Sequence, residues 1–170
     1  MNAITLSALA DFPRHLEAHY AAVPAEFKHW APPTWEGVPS EPLTAIEQVC
    51  HVRDVEIDGY HVRFHRTLHE FNPTLAALDS ETLAKVRSYA TSSASEAFAA
   101  FRVAFARAKT VQLLSGLSPE QFMRTAVFED YGPSSLRRLV HYLCSHDQQH
   151  LAGLQWLLGK IEAPRAQVRG

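Results

Sequence analysis

Apolar residues recur along this chain at intervals of three and four, the spacing of one helix face, and prolines and glycines gather between the stretches that carry it. From Ser7 to Val23 the positions Leu9, Phe12, Leu16, Tyr20 and Val23 keep that interval and predict a first helix. Pro13 stands near its start, where a proline is tolerated. Pro24 to Pro42 holds five prolines and Gly37, which predicts an irregular connection of unusual length, functional or packed over a bundle end. Trp30 and Trp35 lie within it, placed to cap the core. Thr44, with Glu47 three residues on, forms a capping-box pattern that opens a second helix. That helix runs to about Phe71, before Asn72-Pro73, a length of roughly 40 Å at 1.5 Å per residue.

Residues 72–91 read as a loop with one short helix after Asp79-Ser80. A third long helix, from about Ser92 to Leu114, carries Ala94, Ala97, Phe98, Phe101, Phe105 and Ala108 on one face, and Ser115-Gly116 ends it. Ser118-Pro119-Glu120-Gln121 combines a capping serine, a proline at the first helical position and a glutamine at the third, the start of a short helical turn. Tyr131-Gly132-Pro133 breaks the chain, and a last helix begins near Ser134 or Ser135 and continues to about Lys160, with residues 161–170 as a frayed tail. Four long helices without an alternating strand pattern predict an all-α fold: a four-helix bundle with long connections and short extra helices.

The 170 residues suit one domain spanning the whole chain, and a composition 46% hydrophobic and 20% charged supports a full core and excludes disorder for most of it. Sixteen basic and eighteen acidic residues give a net charge of −2 without a Lys/Arg run, so nucleic-acid binding has little electrostatic support. No stretch approaches the roughly 18 continuous apolar residues of a membrane span, and the N-terminus lacks the basic lead-in of a secretory signal. Cys50 and Cys144 cannot form a disulfide framework and suit a reducing compartment, so a soluble cytoplasmic protein is expected.

Histidine changes this plain picture, because there are ten. In the last helix the stripe Leu136, Leu139, Leu143, His146, His150, Gly153, Leu157 puts two imidazoles, one turn apart, where packing would place leucine. Two rings so spaced can grip one ion through their free nitrogens. The same spacing also suits a pair that hydrogen-bonds to its neighbours, since a buried ring left unsatisfied costs about 1–3 kcal/mol. A firmly held ion wants a third ligand, and spacing leaves that choice open. His51 sits at the edge of the second helix's apolar stripe, flanked by Val55 and Val62, and can look across to the last helix. Asp54, Asp58, His61, His65 and His69 fall on the opposite side from Val49, Tyr60, Phe64 and Phe71, as a solvated face would. His15 and His19 share the four-residue spacing but flank Leu16 near the chain end.

The stretch Glu47-Gln48-Val49-Cys50-His51-Val52-Arg53-Asp54-Val55-Glu56 resembles the second-helix motif of the DinB-like superfamily of metal-binding four-helix bundles, with its glutamate four before the histidine. Gly132-Pro133-Ser134-Ser135-Leu136, leading to His146-Asp147-Gln148-Gln149-His150, is similar to that family's last helix, where a His-Asp-x-x-His run supplies two ligands. The resemblance implies a divalent metal at His51, His146 and His150. One departure stands out: many relatives carry glutamine three residues after the final histidine, whereas this chain has Gly153 there and Gln155 two further on.

Family activities include metal-dependent thiol transfer using low-molecular-weight thiols, so the resemblance implies a metal site that activates a thiol or water against a small electrophilic substrate. Such an enzyme would be a transferase or a hydrolase, and the catalytic residues beyond the ligands are unassigned. The alternative is a non-catalytic metal- or ligand-binding bundle with structural histidines; a homodimer is compatible with either. Zinc, nickel, iron, manganese and cobalt all suit three imidazoles with an open position. Asp147 points about 100° from His146 on the helix and reads as a carboxylate that orients a ligand or pairs at the surface. Asp54 could likewise orient His51 or be exposed, and Arg53, Arg63 and Arg124 could meet an anionic substrate. Both thiols point away from their neighbouring histidines and read as small core residues. A Ser-His-Asp triad lacks its strand-to-helix elbow.

Overall fold

The structure, a computed structural model, describes residues 1–104, 106–129 and 131–167. Helix α1 spans Ala3–Ala22, opened by Asn2, whose side chain accepts from the Thr5 amide. The proline-rich connection follows, with one short 3₁₀ turn at Ala25–Phe27. The capping box works as its pattern predicts: the Thr44 amide donates to Glu47 Oε2 at 2.8 Å, and α2 runs Ala45–Asp54. A widened, π-type turn over Val55–Tyr60 joins it to α3, His61–His69. The next elements are β1 (Thr74–Leu75), α4 (Ser80–Val86), a 3₁₀ turn (Tyr89–Thr91) and α5 (Ala94–Ala99). A second widened turn, Ala100–Ala104, leads to α6 (Arg107–Ser115), and α7 (Pro119–Phe122), β2 (Thr125–Phe128), β3 (Gly132–Ser135) and α8 (Leu136–Gln167) complete the chain. No helix among the described residues is long and apolar enough to cross a membrane.

The expected four-helix bundle is present: α1, the α2–α3 run, the α5–α6 run and α8 pack around one another, with α1 against α6 and α8 and α2 against α5 and α8. Four expectations need correction. A small sheet exists, in the order β1-β2-β3, with β1 parallel and β2 antiparallel to their neighbours in turn, Leu75 opposite Phe128 and Thr125 opposite Ser135. Strands of two to four residues, one of them Gly-Pro-Ser-Ser, carry too few alternations for a period of two to show. Each long central helix is interrupted by a wide turn, which shifts the helical phase beyond it. Val62, in phase with His51 on an unbroken helix, is 49% exposed, and Ala108 is exposed as well, whereas Tyr60 and Phe64 stay buried with Val49 as expected. Phe71 is fully exposed because α3 already ends at His69. The last helix passes Lys160 and continues to Gln167; Phe105 and residues 168–170 lie outside the described residues.

The core falls into two clusters. Leu136, Leu139, Val140 and Leu143 of α8 join Leu9, Tyr60, Phe64 and Phe128 in one. Leu151, Leu154, Leu157 and Ile161 join Phe12, Leu16, Val49 and Phe101 in the other. Between these stretches α8 carries His146, Asp147 and His150, so a polar layer separates two apolar ones.

Candidate metal centre

Three imidazoles meet in this layer. His51 Nε2 lies 3.2 Å from His146 Nε2, and His150 Nε2 lies 3.1 Å from the same atom. The helices that bring them together are far apart in sequence, and the four-residue interval on α8 places His146 and His150 on one face, as their spacing predicts. A carboxylate absent from the sequence-based expectation joins them. Glu41 Oε1 is 3.5 Å from His51 Nε2 and Glu41 Oε2 is 3.2 Å from His150 Nε2, so that all four donor atoms lie within 4.8 Å of one another.

The surroundings fix the ring of His150. Gln48, fully buried one turn before His51, donates from Nε2 to Ser40 Oγ at 2.9 Å and to Leu43 O at 3.3 Å. Its amide oxygen is thereby turned toward His150 and accepts from Nδ1. With the proton held on Nδ1, the lone pair of Nε2 points into the cluster. Gly153 makes room for this arrangement, since a Cβ there would overlap Ser40 Oγ and stand 2.8 Å from Gln48 Nε2. The proline-rich connection is clipped to α8 by the stacked rings of Trp35 and Trp156, with centroids 5.9 Å apart. That clip places Ser40 and Glu41 near the site, and Trp35, like Trp30, packs against the core as expected.

Charge and burial favour neutral rings beside an ionised carboxylate. Burial, then the neighbouring rings of His150 and His51, hold His146 well below the usual imidazole range. Burial also lowers His150, partly offset by its contact with Glu41. Contacts with the rings of His150 and His51 hold the Glu41 carboxyl far below the usual carboxylate range.

These residues fit a divalent ion. Donors about 2.0–2.1 Å from a tetrahedral ion stand about 3.3 Å apart; here two nitrogen–nitrogen and two nitrogen–oxygen separations run from 3.1 to 3.5 Å, and the whole set stays within 4.8 Å. A proton on His146 Nε2 could bond to one neighbouring ring and would leave the other lone pair facing it. One cation accepting all three lone pairs removes that conflict. A cavity of about 760 Å³ opens on His51 and Glu41, walled by Leu43, Ala84, Tyr89 and Ala90.

Other sequence candidates go elsewhere. Asp147 is neither a surface partner nor close to the ligand cluster's open side: Arg107 clamps it with bonds of 2.6 and 2.9 Å, holds Glu56 at 3.0 Å and donates to Leu9 O at 3.1 Å, all buried. Thr110 Oγ1 completes this network on Glu56 Oε1 at 2.6 Å. Asp54 is buried, not exposed, and pairs with Arg53 at 2.6 Å and Arg87 at 2.9 Å. Arg63 donates to Ala76 O and Arg124 to Thr67 O and Glu70 O, so the three arginines expected to meet an anion are engaged away from the cavity. His61 bonds to Ala106 O and Thr110 Oγ1, His65 stacks near His69 in solvent, and His19 caps back on His15 O. Burial raises both thiols, Cys144 to about 11, which suits inert cysteines.

Sequence reasoning missed Glu41, Gln48 and Arg107. Glu41 lies in an aperiodic loop and carried no signal. Gln48 did carry one, a polar residue one turn before His51 on an otherwise apolar face.

The DinB superfamily model matches residues 8–154. Among solved structures, YfiT from Bacillus subtilis, described as a probable metal-dependent hydrolase with an unusual four-helix bundle topology, superposes with a TM-score of 0.78 at 17% identity, covering 95% of this chain and 90% of that one. At that identity the likeness concerns the fold. No curated protein matches the sequence.

Proposed function

The chain belongs to the DinB superfamily, and on that premise we propose that it is a divalent-metal-dependent enzyme of hydrolytic type acting on a small electrophilic substrate. His51, His146 and His150 hold the ion through Nε2. One observation carries this: three imidazole Nε2 atoms, from helices remote in sequence, converge beside a cavity of about 760 Å³. A divalent ion held by three neutral imidazoles supplies a position where a water or a thiol ionises near neutral pH. Zinc, nickel, iron and manganese all remain compatible with the donor set.

The chain's own residues do the rest. Gln48 keeps His150 in the tautomer that offers Nε2, and burial keeps His146 and His150 neutral, as ligands must be. Glu41 stands at the cavity mouth, where its carboxylate can take the proton of an attacking water. Leu43, Ala84, Tyr89 and Ala90 offer an apolar wall to the body of the substrate and exclude water from it. Water is taken as the nucleophile because a carboxylate stands within the ligand cluster to receive its proton.

Metal analysis of the purified protein, followed by His150→Ala, tests this reading. The variant should lose both the ion and the hydrolysis of small esters or amides while keeping its fold. A structural site would instead lose stability with no turnover to lose. Adding low-molecular-weight thiols should leave the rate unchanged; acceleration with a thioether product would make the thiol the nucleophile.

A further inference from the structure

Resting on the metal reading above, we propose that Glu41 is a fourth, displaceable protein ligand, whose carboxylate closes the remaining position in the resting protein and swings aside when substrate enters the cavity.

Its oxygens stand 3.5 and 3.2 Å from His51 and His150 Nε2, close to the 3.2 and 3.1 Å that separate the imidazole nitrogens themselves. A base that only received a proton from a bound water would sit one water further out. Glu41 is also the one member of the group held on a connection instead of a helix. Its side chain is 40% exposed, against 2% for His51 and none for His150, so it can leave without opening the core.

The backbone limits how far it can go. The Glu41 carbonyl accepts from the Leu43 amide at 2.8 Å and from Ser40 Oγ at 3.1 Å, and Gln48 holds Ser40 and Leu43 in turn. Displacement is therefore a rotation of the side chain, not an opening of the loop. The freed carboxylate stays beside the vacated position, on the rim of the cavity from which substrate arrives. Two roles then follow in sequence for one residue: ligand at rest, proton acceptor when displaced. The resting charge supports the first role, since three neutral imidazoles leave a dication uncompensated in a partly buried layer and one carboxylate reduces it.

The probe is cobalt(II), whose visible spectrum reports coordination, bound to the full chain. Glu41→Gln should raise the dissociation constant for cobalt at least tenfold and alter the visible bands. Azide should then titrate the variant's spectrum at concentrations at least tenfold below those needed for the unsubstituted protein, whose position is already filled. Glu41→Asp, with its carboxylate drawn back, should behave like the Gln variant, and unchanged melting of both would exclude misfolding. An affinity within threefold together with an unchanged spectrum would overturn the proposal. The two readings separate cleanly. If His150→Ala keeps the ion, the three-histidine site fails; if it loses the ion while Glu41→Gln changes nothing, only the fourth ligand fails.

Discussion

Gln48→Leu removes no candidate ligand and should nonetheless weaken metal binding. The glutamine side chain makes three hydrogen bonds, to His150 Nδ1, Ser40 Oγ and Leu43 O, and is fully buried. Leucine keeps most of its volume and none of these bonds. The His150 Nδ1 proton then has no acceptor, which costs about 1–3 kcal/mol in a buried setting. For a domain of this size that is a fall of roughly 2–12 °C in Tm for the metal-free protein. Binding suffers separately, because the ring no longer prefers the tautomer with its lone pair on Nε2. Loss of such an orienting partner typically weakens affinity about 10–100-fold. Competition against a chromophoric chelator measures this directly, and thermal melting of the metal-free protein measures the stability term. Gln48→Glu serves as the control: it keeps an acceptor for His150 and should bind within about tenfold of the unsubstituted protein. If Gln48→Leu bound metal within threefold of the unsubstituted protein, the tautomer argument would be refuted.

Arg107→Leu strands Asp147 and Glu56 in the interior, and removal of one member of such a buried set costs about 3–5 kcal/mol. Urea unfolding should show that loss, partly recovered on adding Asp147→Asn and Glu56→Gln; a cost under 1 kcal/mol would mean the network is not what joins these helices. Burial pushes the Asp54 carboxyl up, but Arg53 and Arg87 outweigh it and hold the group below its usual 3.8. A depressed folded pKa gives stability that is present above the unfolded value and lost as pH falls through the folded one. Asp54→Asn should therefore destabilise by about 1–3 kcal/mol at pH 7, with the gap closing below about pH 4; an equal gap at pH 3 would contradict the assignment. Gly153→Ala, on helix propensity alone, should stabilise by about 1 kcal/mol, but here the methyl collides with Ser40 and Gln48. No gain in Tm and a weaker metal affinity are expected, and a raised Tm with unchanged affinity would show that the space is not needed.

What the sequence made legible was what repeats. The bundle followed from apolar intervals, the capping boxes at Thr44 and Ser118 from their local chemistry, and the pair His146 and His150 from one interruption of a leucine stripe. His51 was only permitted by periodicity; the family motif singled it out, and the structure brings its ring to the pair. A helical wheel assumes one angle per residue, and the wide turns at Val55–Tyr60 and Ala100–Ala104 break that assumption in the two central helices. Asp54 failed for another reason: a carboxylate on a polar-looking face is buried when two arginines arrive from elsewhere, and one of them, Arg87, follows a separate helix. Glu41 was beyond reach because its position depends on a tryptophan clip and a glutamine, not on any repeat.

The polar layer also explains how a bundle can hold ligands to a few tenths of an ångström. One turn of α8 presents His146 and His150 toward α2 and, about 100° around, Asp147 toward α6. Arg107 on α6 grips Asp147 and, on its other edge, Glu56 in the wide turn that follows α2. The helix that carries His51 and the helix that carries the other two rings are thus fixed to one guanidinium. Apolar packing above and below tolerates sliding by small repacking, whereas a bidentate pair of 2.6 and 2.9 Å does not. The register of the imidazoles is therefore set by a buried ion pair that touches none of them. It follows that Arg107→Leu should loosen metal binding as well as the fold, and that ligand affinity should recover less than stability when the stranded carboxylates are neutralised.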